Sequence, residues 1–189
     1  KFGAEPEEVA PLLMAARQAS DALGICFHVG SQAMSPHAYA AALERVRAAI
    51  VAAAVTVDIV DVGGGFPSVY PGMEPPALGA YFDVIHRGFE SLPISYSAEL
   101  WCEPGRALSA EYSSLIVRVE KRRGDELYIN DGAYGALFDA AHVGWRFPVR
   151  LLRDSDADET AFSFYGPTCD DLDHMAGPFV LPDDIAAGD

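Results

Sequence analysis

Several residues able to do polar chemistry stand at the ends of apolar runs in this 189-residue sequence. Gly63-Gly64-Gly65 follows the run Val57 to Val62. Consecutive glycines let backbone N–H groups come close to an anion, because no Cβ blocks the approach. The spacing is not that of the dinucleotide fingerprint, and an ordinary tight turn is the competing reading. Arg106, just past the next apolar run, is a fixed cation that can take a bidentate contact with a phosphate held by those glycines. Ser31, at an earlier run's end, can add a hydroxyl. Glu103 lies before Pro104 in a largely apolar setting, where a carboxylate needs a cation or a donor to stay ionised. Arg106 can supply that, and so can a ring nitrogen of a bound cofactor, whose protonation makes the ring a better electron sink. His28 reads either as a satisfied core histidine or as a ring that stacks on another. Finally, Gly166-Pro167-Thr168-Cys169-Asp170-Asp171-Leu172-Asp173 sets a thiol beside three carboxylates. That setting suits a proton donor better than a nucleophile, and an acidic surface turn with an incidental thiol is the alternative.

The elements that must position these residues follow from periodicity. Between Glu5 and Leu23, Val9, Leu12, Leu13, Ala16, Ala19 and Leu23 recur at helical spacing behind Pro6, with Gly24 as a stop. Ile25 to Val29 reads as a buried strand ending at Gly30-Ser31. Pro36 opens a second helix carrying Tyr39, Leu43, Val46 and Ile50, and Val57 to Val62 is a second strand ending at the three glycines. A proline-rich loop, Pro67 to Pro76, precedes a third helix over Tyr81 to Phe89, and Ala98 to Cys102 is a third strand stopped by Pro104-Gly105. Three helix-then-strand units predict parallel α/β structure, with ligands at the carboxyl ends of the strands. Three units cannot close an eight-stranded barrel. After about Ala110 the pattern becomes mostly β, with Arg123-Gly124-Asp125 as a hairpin signal before Leu127-Tyr128-Ile129. The charged stretch Arg153 to Glu159 reads as a solvated loop.

Composition narrows the function classes. Half of the residues are hydrophobic, enough for a sizeable core, and the net charge is −15. That charge argues against nucleic acid as a partner and attracts cationic small molecules weakly, though a solubility role accounts for most of it. No apolar run reaches the roughly 20 residues that cross a bilayer, so a membrane is not expected as a partner. The start at Lys1-Phe2-Gly3 shows neither an initiator Met nor a signal peptide, which makes a cytoplasmic location the expectation. Cys26, Cys102 and Cys169 share no metal-type spacing, so neither a metal site nor a disulfide framework is expected.

Five motifs then stand in a recognisable order: Phe27-His28-Val29-Gly30-Ser31, Asp61 to Pro67, Cys102 to Arg106, Asn130 to Gly135, and Gly166 to Asp170. Together they resemble the fold-type III pyridoxal-phosphate decarboxylases, the ornithine decarboxylase family, over nearly the whole chain. The resemblance implies an alanine-racemase-like (β/α)8 barrel, of which residues 1–110 are the C-terminal part, followed at 111–189 by part of a β-sandwich or β-barrel domain. It implies pyridoxal 5'-phosphate as cofactor, with His28 stacked on its ring, Ser31, Gly63, Gly64, Gly65 and Arg106 on its phosphate, and Glu103 on its pyridine nitrogen. It implies that Cys169 returns a proton to carbon after carbon dioxide leaves. Asp139 and Asp170 would bind the substrate's distal ammonium, one of them reaching across a homodimer with shared active sites, and Tyr134 would lie near that interface.

Departures from the pattern accompany the resemblance. The family's Schiff-base lysine lies on an early barrel strand, upstream of anything present, and neither Lys1 nor Lys121 matches it; the chain thus reads as cut short at both ends. A late tyrosine that touches the phosphate would fall beyond Asp189, and Phe138 stands where some relatives have Tyr. The expected reaction is decarboxylation of L-ornithine to putrescine in polyamine biosynthesis, with L-lysine as a second substrate. Alternatives are a diaminopimelate or carboxynorspermidine decarboxylase, against which the anions Asp139 and Asp170 speak, and a catalytically inactive regulatory homologue.

Overall fold

The protein is described from a computed structural model covering residues 2–189. It divides into two compact units, the first taking in residues up to Val69 together with Glu74–Tyr112, the second Tyr70–Met73 together with Ser113–Asp189.

The first unit alternates helix and strand: α1 (Pro6–Ala19), β1 (Gly24–Cys26), α2 (His37–Ala53), β2 (Ile59–Asp61), α3 (Leu78–Glu90), β3 (Glu99–Trp101) and a single turn, α4 (Arg106–Ser109). The strands form a parallel sheet in the order β1-β2-β3. Pro6 opens α1 and the Glu8 carboxylate accepts the Glu5 N–H at 3.2 Å, satisfying a donor that a helix start leaves free. The helix stops four residues earlier than its pattern predicts. Arg17 causes this by donating to the Ser20 and Asp21 carbonyls and pairing with Asp58 at 2.7 Å, so the chain turns there. Leu13 and Leu23 are buried, but Leu12 and Ala16 are exposed. The α2 stripe is as its spacing predicts, with Tyr39, Leu43, Val46 and Ile50 all buried against Val57, Val60 and Val62.

Each strand is shorter than its apolar run, because the chain bends out of the ladder toward Gly30, Gly63 and Pro104. Single rungs continue past the ends: Phe27 N–H to the Asp61 carbonyl (3.1 Å), Val62 N–H to Trp101 (3.0 Å) and Glu103 N–H to Gly63 (2.8 Å). The three carboxyl-end loops are thus tied together by backbone.

In the second unit the expected hairpin is β4 (Val119–Arg123) and β5 (Glu126–Ile129), turning at Gly124-Asp125 with Gly124 at positive φ. A short helix, α5 (Phe138–His142), precedes β6 (Glu159–Tyr165) and β7 (His174–Pro182). The four strands pair in sequence order, β5 and β6 parallel, the other neighbours antiparallel. Period-2 alternation buries Leu127, Ile129, Phe162, Phe164, Met175, Phe179 and Leu181 on one face. On the other, Tyr128, Tyr165 and His174 stack ring on ring. The Arg153–Glu159 stretch is not simply solvated. Arg153 pairs with Asp184 and Asp189, both at 2.8 Å, because the charges that read as surface decoration have partners at the far end of the chain. Among the described residues, no helix is long and apolar enough to cross a membrane.

Candidate active site

In the first unit, strand-end turns bring most of the expected cofactor residues together. The Asp61 carboxylate accepts the Gly63 N–H at 2.8 Å and starts the glycine turn. Gly63 and Gly65 have positive φ (66° and 96°), and a Cβ on either would overlap the carbonyl oxygen of Phe27 or of Gly30. A Cβ on Gly64 would lie 2.8 Å from the Glu103 carbonyl oxygen and 3.5 Å from His28 Nε2. The glycines are therefore required by the convergence of all three loops. They also leave donors over: among the described residues, no acceptor is seen for the N–H groups of Gly64 and Gly65. Gly64 is buried, and a buried N–H without an acceptor is uncommon and calls for an external partner.

His28 is exposed, which removes the core-histidine reading. Its Nδ1 accepts the Gly30 N–H at 2.8 Å, so in the neutral ring the proton sits on Nε2, on the side of Gly64. Ser31 is exposed beside it. Glu103 is exposed too, so water solvates its carboxylate and the expected apolar setting is corrected. Arg106 begins α4 and is half-buried. The Ser31 hydroxyl and the glycine N–H groups without acceptors are donors that fit a phosphate monoester, and the exposed His28 ring and Glu103 carboxylate, an acceptor, fit the aromatic ring that would carry it.

The second unit holds the other candidates. Cys169 is exposed on the loop between β6 and β7. Asp170 accepts the Tyr134 hydroxyl at 2.5 Å and the Leu172 N–H at 3.0 Å. The hydroxyl first, then the N–H, hold its carboxyl below the usual carboxylate range, and the same bond pushes the Tyr134 phenol up. Asp139 is half-buried in α5, and no hydrogen bond links it to Asp170 or Cys169 among the described residues. Phe138 is exposed and packs on the His142 ring.

Asp173 departs from the reading of Gly166 to Asp173 as an acidic surface turn. It is 1% exposed and has no cationic partner among those described. Instead its two oxygens accept the N–H groups of Ala133 (2.7 Å) and Thr168 (3.0 Å) and the Thr168 hydroxyl (2.7 Å). Burial works to raise its pKa, but the Thr168 hydroxyl and the two N–H groups outweigh it and hold the carboxyl low. Nothing in the sequence sets Asp173 apart from its acidic neighbours.

Residues 1–110 match the family described as pyridoxal-dependent decarboxylase, pyridoxal binding domain. The chain belongs to the pyridoxal-dependent decarboxylases. Within that family it is 32% identical to a lysine/ornithine decarboxylase of Selenomonas ruminantium, over 97% of this chain and 48% of that protein. It is 31% identical to antizyme inhibitor 2 of Xenopus laevis, over 97% of this chain and 45% of that protein. The structure of a lysine/ornithine decarboxylase from Vibrio vulnificus complexed with cadaverine superposes with a TM-score of 0.83 at 26% identity, over all of this chain and 53% of that one. The chain spans about half the length of the curated relatives it matches. Its fold is accordingly part of a (β/α)8 barrel followed by part of a β domain. Of the two lysines, Lys121 is exposed in β4, in the second unit, and Lys1 lies outside the described residues.

Proposed function

We propose that this chain supplies the phosphate-binding and ring-binding half of a pyridoxal 5'-phosphate-dependent decarboxylase acting on L-ornithine, with L-lysine as a second substrate. The observation that carries it is the convergence of three parallel-strand ends on Gly64 and Gly65 N–H groups that lack acceptors, beside His28, Ser31 and Glu103. Residues 1–110 are then the C-terminal part of the barrel and 111–189 part of the β domain.

When bound, the cofactor supplies an electron sink for the bond to the departing carboxylate. The residues of this chain do the rest. The N–H groups of Gly64 and Gly65, with Ser31 and Arg106, bind the phosphate. His28 would cover one ring face and Glu103 would hold the ring nitrogen in its protonated form. Asp170, ionised and oriented by Tyr134, receives the distal ammonium together with Asp139, and a carboxylate there offsets the hydration the ammonium loses. Cys169 Sγ would hold the proton that replaces the lost carboxylate, so that the product formed is the diamine putrescine. The anionic pair favours a diamine product over a substrate with a distal carboxylate. We take the working form to be a homodimer with shared sites, and the three free cysteines suit a reducing, cytoplasmic compartment.

A non-catalytic regulatory reading has the likeness to antizyme inhibitor 2 in its favour. Retention of an exposed Cys169 and of Glu103 favours catalysis. The test is Arg106→Ala in the full-length protein: pyridoxal 5'-phosphate affinity falls at least about tenfold, about 1.4 kcal/mol, with folding intact. Unchanged affinity in a folded variant returns Arg106 to a structural role. Absence of decarboxylation on ornithine, lysine and diaminopimelate by wild type loaded with cofactor selects the regulatory reading.

A further inference from the structure

Beneath the strand-end loops lies a second layer of polar contacts that no step above uses. Gln32 follows Ser31 directly and is, with Asp173, one of two buried polar side chains among the described residues, 7% exposed. Its backbone is left-handed, φ 55°, a conformation that a residue with a Cβ adopts only when its surroundings impose it. The side chain shows what imposes it. The Gln32 carboxamide pairs with the backbone of Ser68, accepting its N–H at 3.1 Å and donating to its carbonyl at 2.5 Å, as a neighbouring strand would. One residue on, the Ala33 N–H donates to the Gly65 carbonyl at 2.9 Å. The loop bearing Ser31 is thus zipped to the loop bearing Gly63 to Gly65.

Two buried tyrosines hold the zipper from below. Tyr39 donates its hydroxyl to the Gly64 carbonyl at 2.9 Å, and Tyr81 donates to the Ala33 carbonyl at 2.7 Å. Tyr39 stacks on Phe66 and meets Tyr81 edge to face, so each ring fixes the other. Burial, then the nearby Tyr81 and Cys102, push the Tyr39 phenol far above its ordinary range, so it remains a hydroxyl donor.

Resting on the cofactor reading above, we infer that Gln32, Tyr39 and Tyr81 are positioning residues for the phosphate monoester: they lock the Ser31 hydroxyl and the Gly64 and Gly65 N–H groups into one preformed anion site. None of the three touches the phosphate. Tyr39 fixes the carbonyl of the peptide that carries the Gly65 N–H, Gln32 fixes the chain directly after Ser31, and Tyr81 fixes Ala33, whose N–H holds the Gly65 carbonyl; affinity gained by preorganisation is lost when such contacts go.

The experiment separates phosphate recognition from folding. Full-length wild type, Gln32→Gly and Tyr39→Phe are titrated with pyridoxal 5'-phosphate and, separately, with pyridoxal, and urea midpoints are measured on each. Glycine accepts the left-handed φ without strain, so Gln32→Gly removes the staple while sparing the backbone, and Tyr39→Phe keeps the ring stack. The expected result is a rise in the pyridoxal 5'-phosphate Kd of at least about tenfold for Gln32→Gly and about threefold for Tyr39→Phe, with the pyridoxal Kd moving less than about twofold. Equal weakening of both ligands, or of neither, in folded variants overturns the inference and leaves the cofactor reading standing. A wild type that binds the phosphorylated ligand no better than pyridoxal overturns both.

Discussion

The two units hold their candidate residues by opposite means. In the first, the loops after β1, β2 and β3 are fixed mainly by backbone rungs and by the uncharged donors Gln32, Tyr39 and Tyr81, with Asp61 and His28 each accepting one local N–H, and the side chains of His28 and Glu103 stand exposed on that frame. In the second, a buried anion is the frame. Asp173 ties the loop carrying Cys169 and Asp170 to the Ala133 segment, and Gly132 and Gly166 leave room for it, since a Cβ on either would overlap its carboxylate. A frame of neutral hydrogen bonds spreads its strength over many contacts. A frame centred on one carboxylate concentrates it and makes it depend on pH.

The sharpest way to break this contrast is at Asp173. Asp173→Ala leaves the buried Ala133 N–H and the part-buried Thr168 N–H and hydroxyl without their acceptor, and is expected to cost about 3 kcal/mol of stability, measured by urea unfolding. The same residue fixes the sign of a pH effect. Its carboxyl titrates lower in the folded protein than unfolded, so its contribution is complete above the ordinary carboxylate range, about pH 4, and is lost as pH falls through the folded value. Exchange protection of the Ala133 and Thr168 amides should fall on acidification in wild type and be low throughout in Asp173→Asn. An Asn variant with wild-type protection would show that charge is not what holds the loop.

A smaller effect is expected from Gly63→Ala, which meets the Phe27 carbonyl and an unfavourable positive φ, at about 2 kcal/mol. Unlike the Asp173 contribution, it should not change as pH falls below the ordinary carboxylate range, because the substitution removes no titrating group; a loss that changes there would blur the contrast. Smallest is Tyr134→Phe, at an exposed residue. It should leave the urea midpoint unchanged and move the Asp170 carboxyl up toward its ordinary value, read by NMR titration of the side-chain carboxyl, since the hydroxyl is its largest stabilising partner.

Much was legible from sequence alone because it follows from local physics. The stripe Tyr39, Leu43, Val46, Ile50 specifies a one-sided helix, the apolar runs ending at glycine or proline specify strands, of which only β2 holds a buried residue (Val60) where burial is expected of β1 as well, and Gly124-Asp125 specifies a hairpin, since periodicity and turn chemistry need only near neighbours. The order of five motifs pointed to the family for the same reason, each being a contiguous stretch. What only the tertiary structure decided were relations between distant segments. Arg17 ended α1 early by reaching Asp58, and Arg153 found Asp184 and Asp189. Tyr39 and Tyr81 read as apolar stripe members, yet their hydroxyls hold loops far along the chain. Gln32 read as nothing, and Asp173 as one acid among several, because whether a polar side chain is buried depends on the donors folding brings around it. A carboxylate or carboxamide carries no mark of its partners in its own neighbourhood of sequence, and the desolvation that makes those partners indispensable arises only when the chain closes over them.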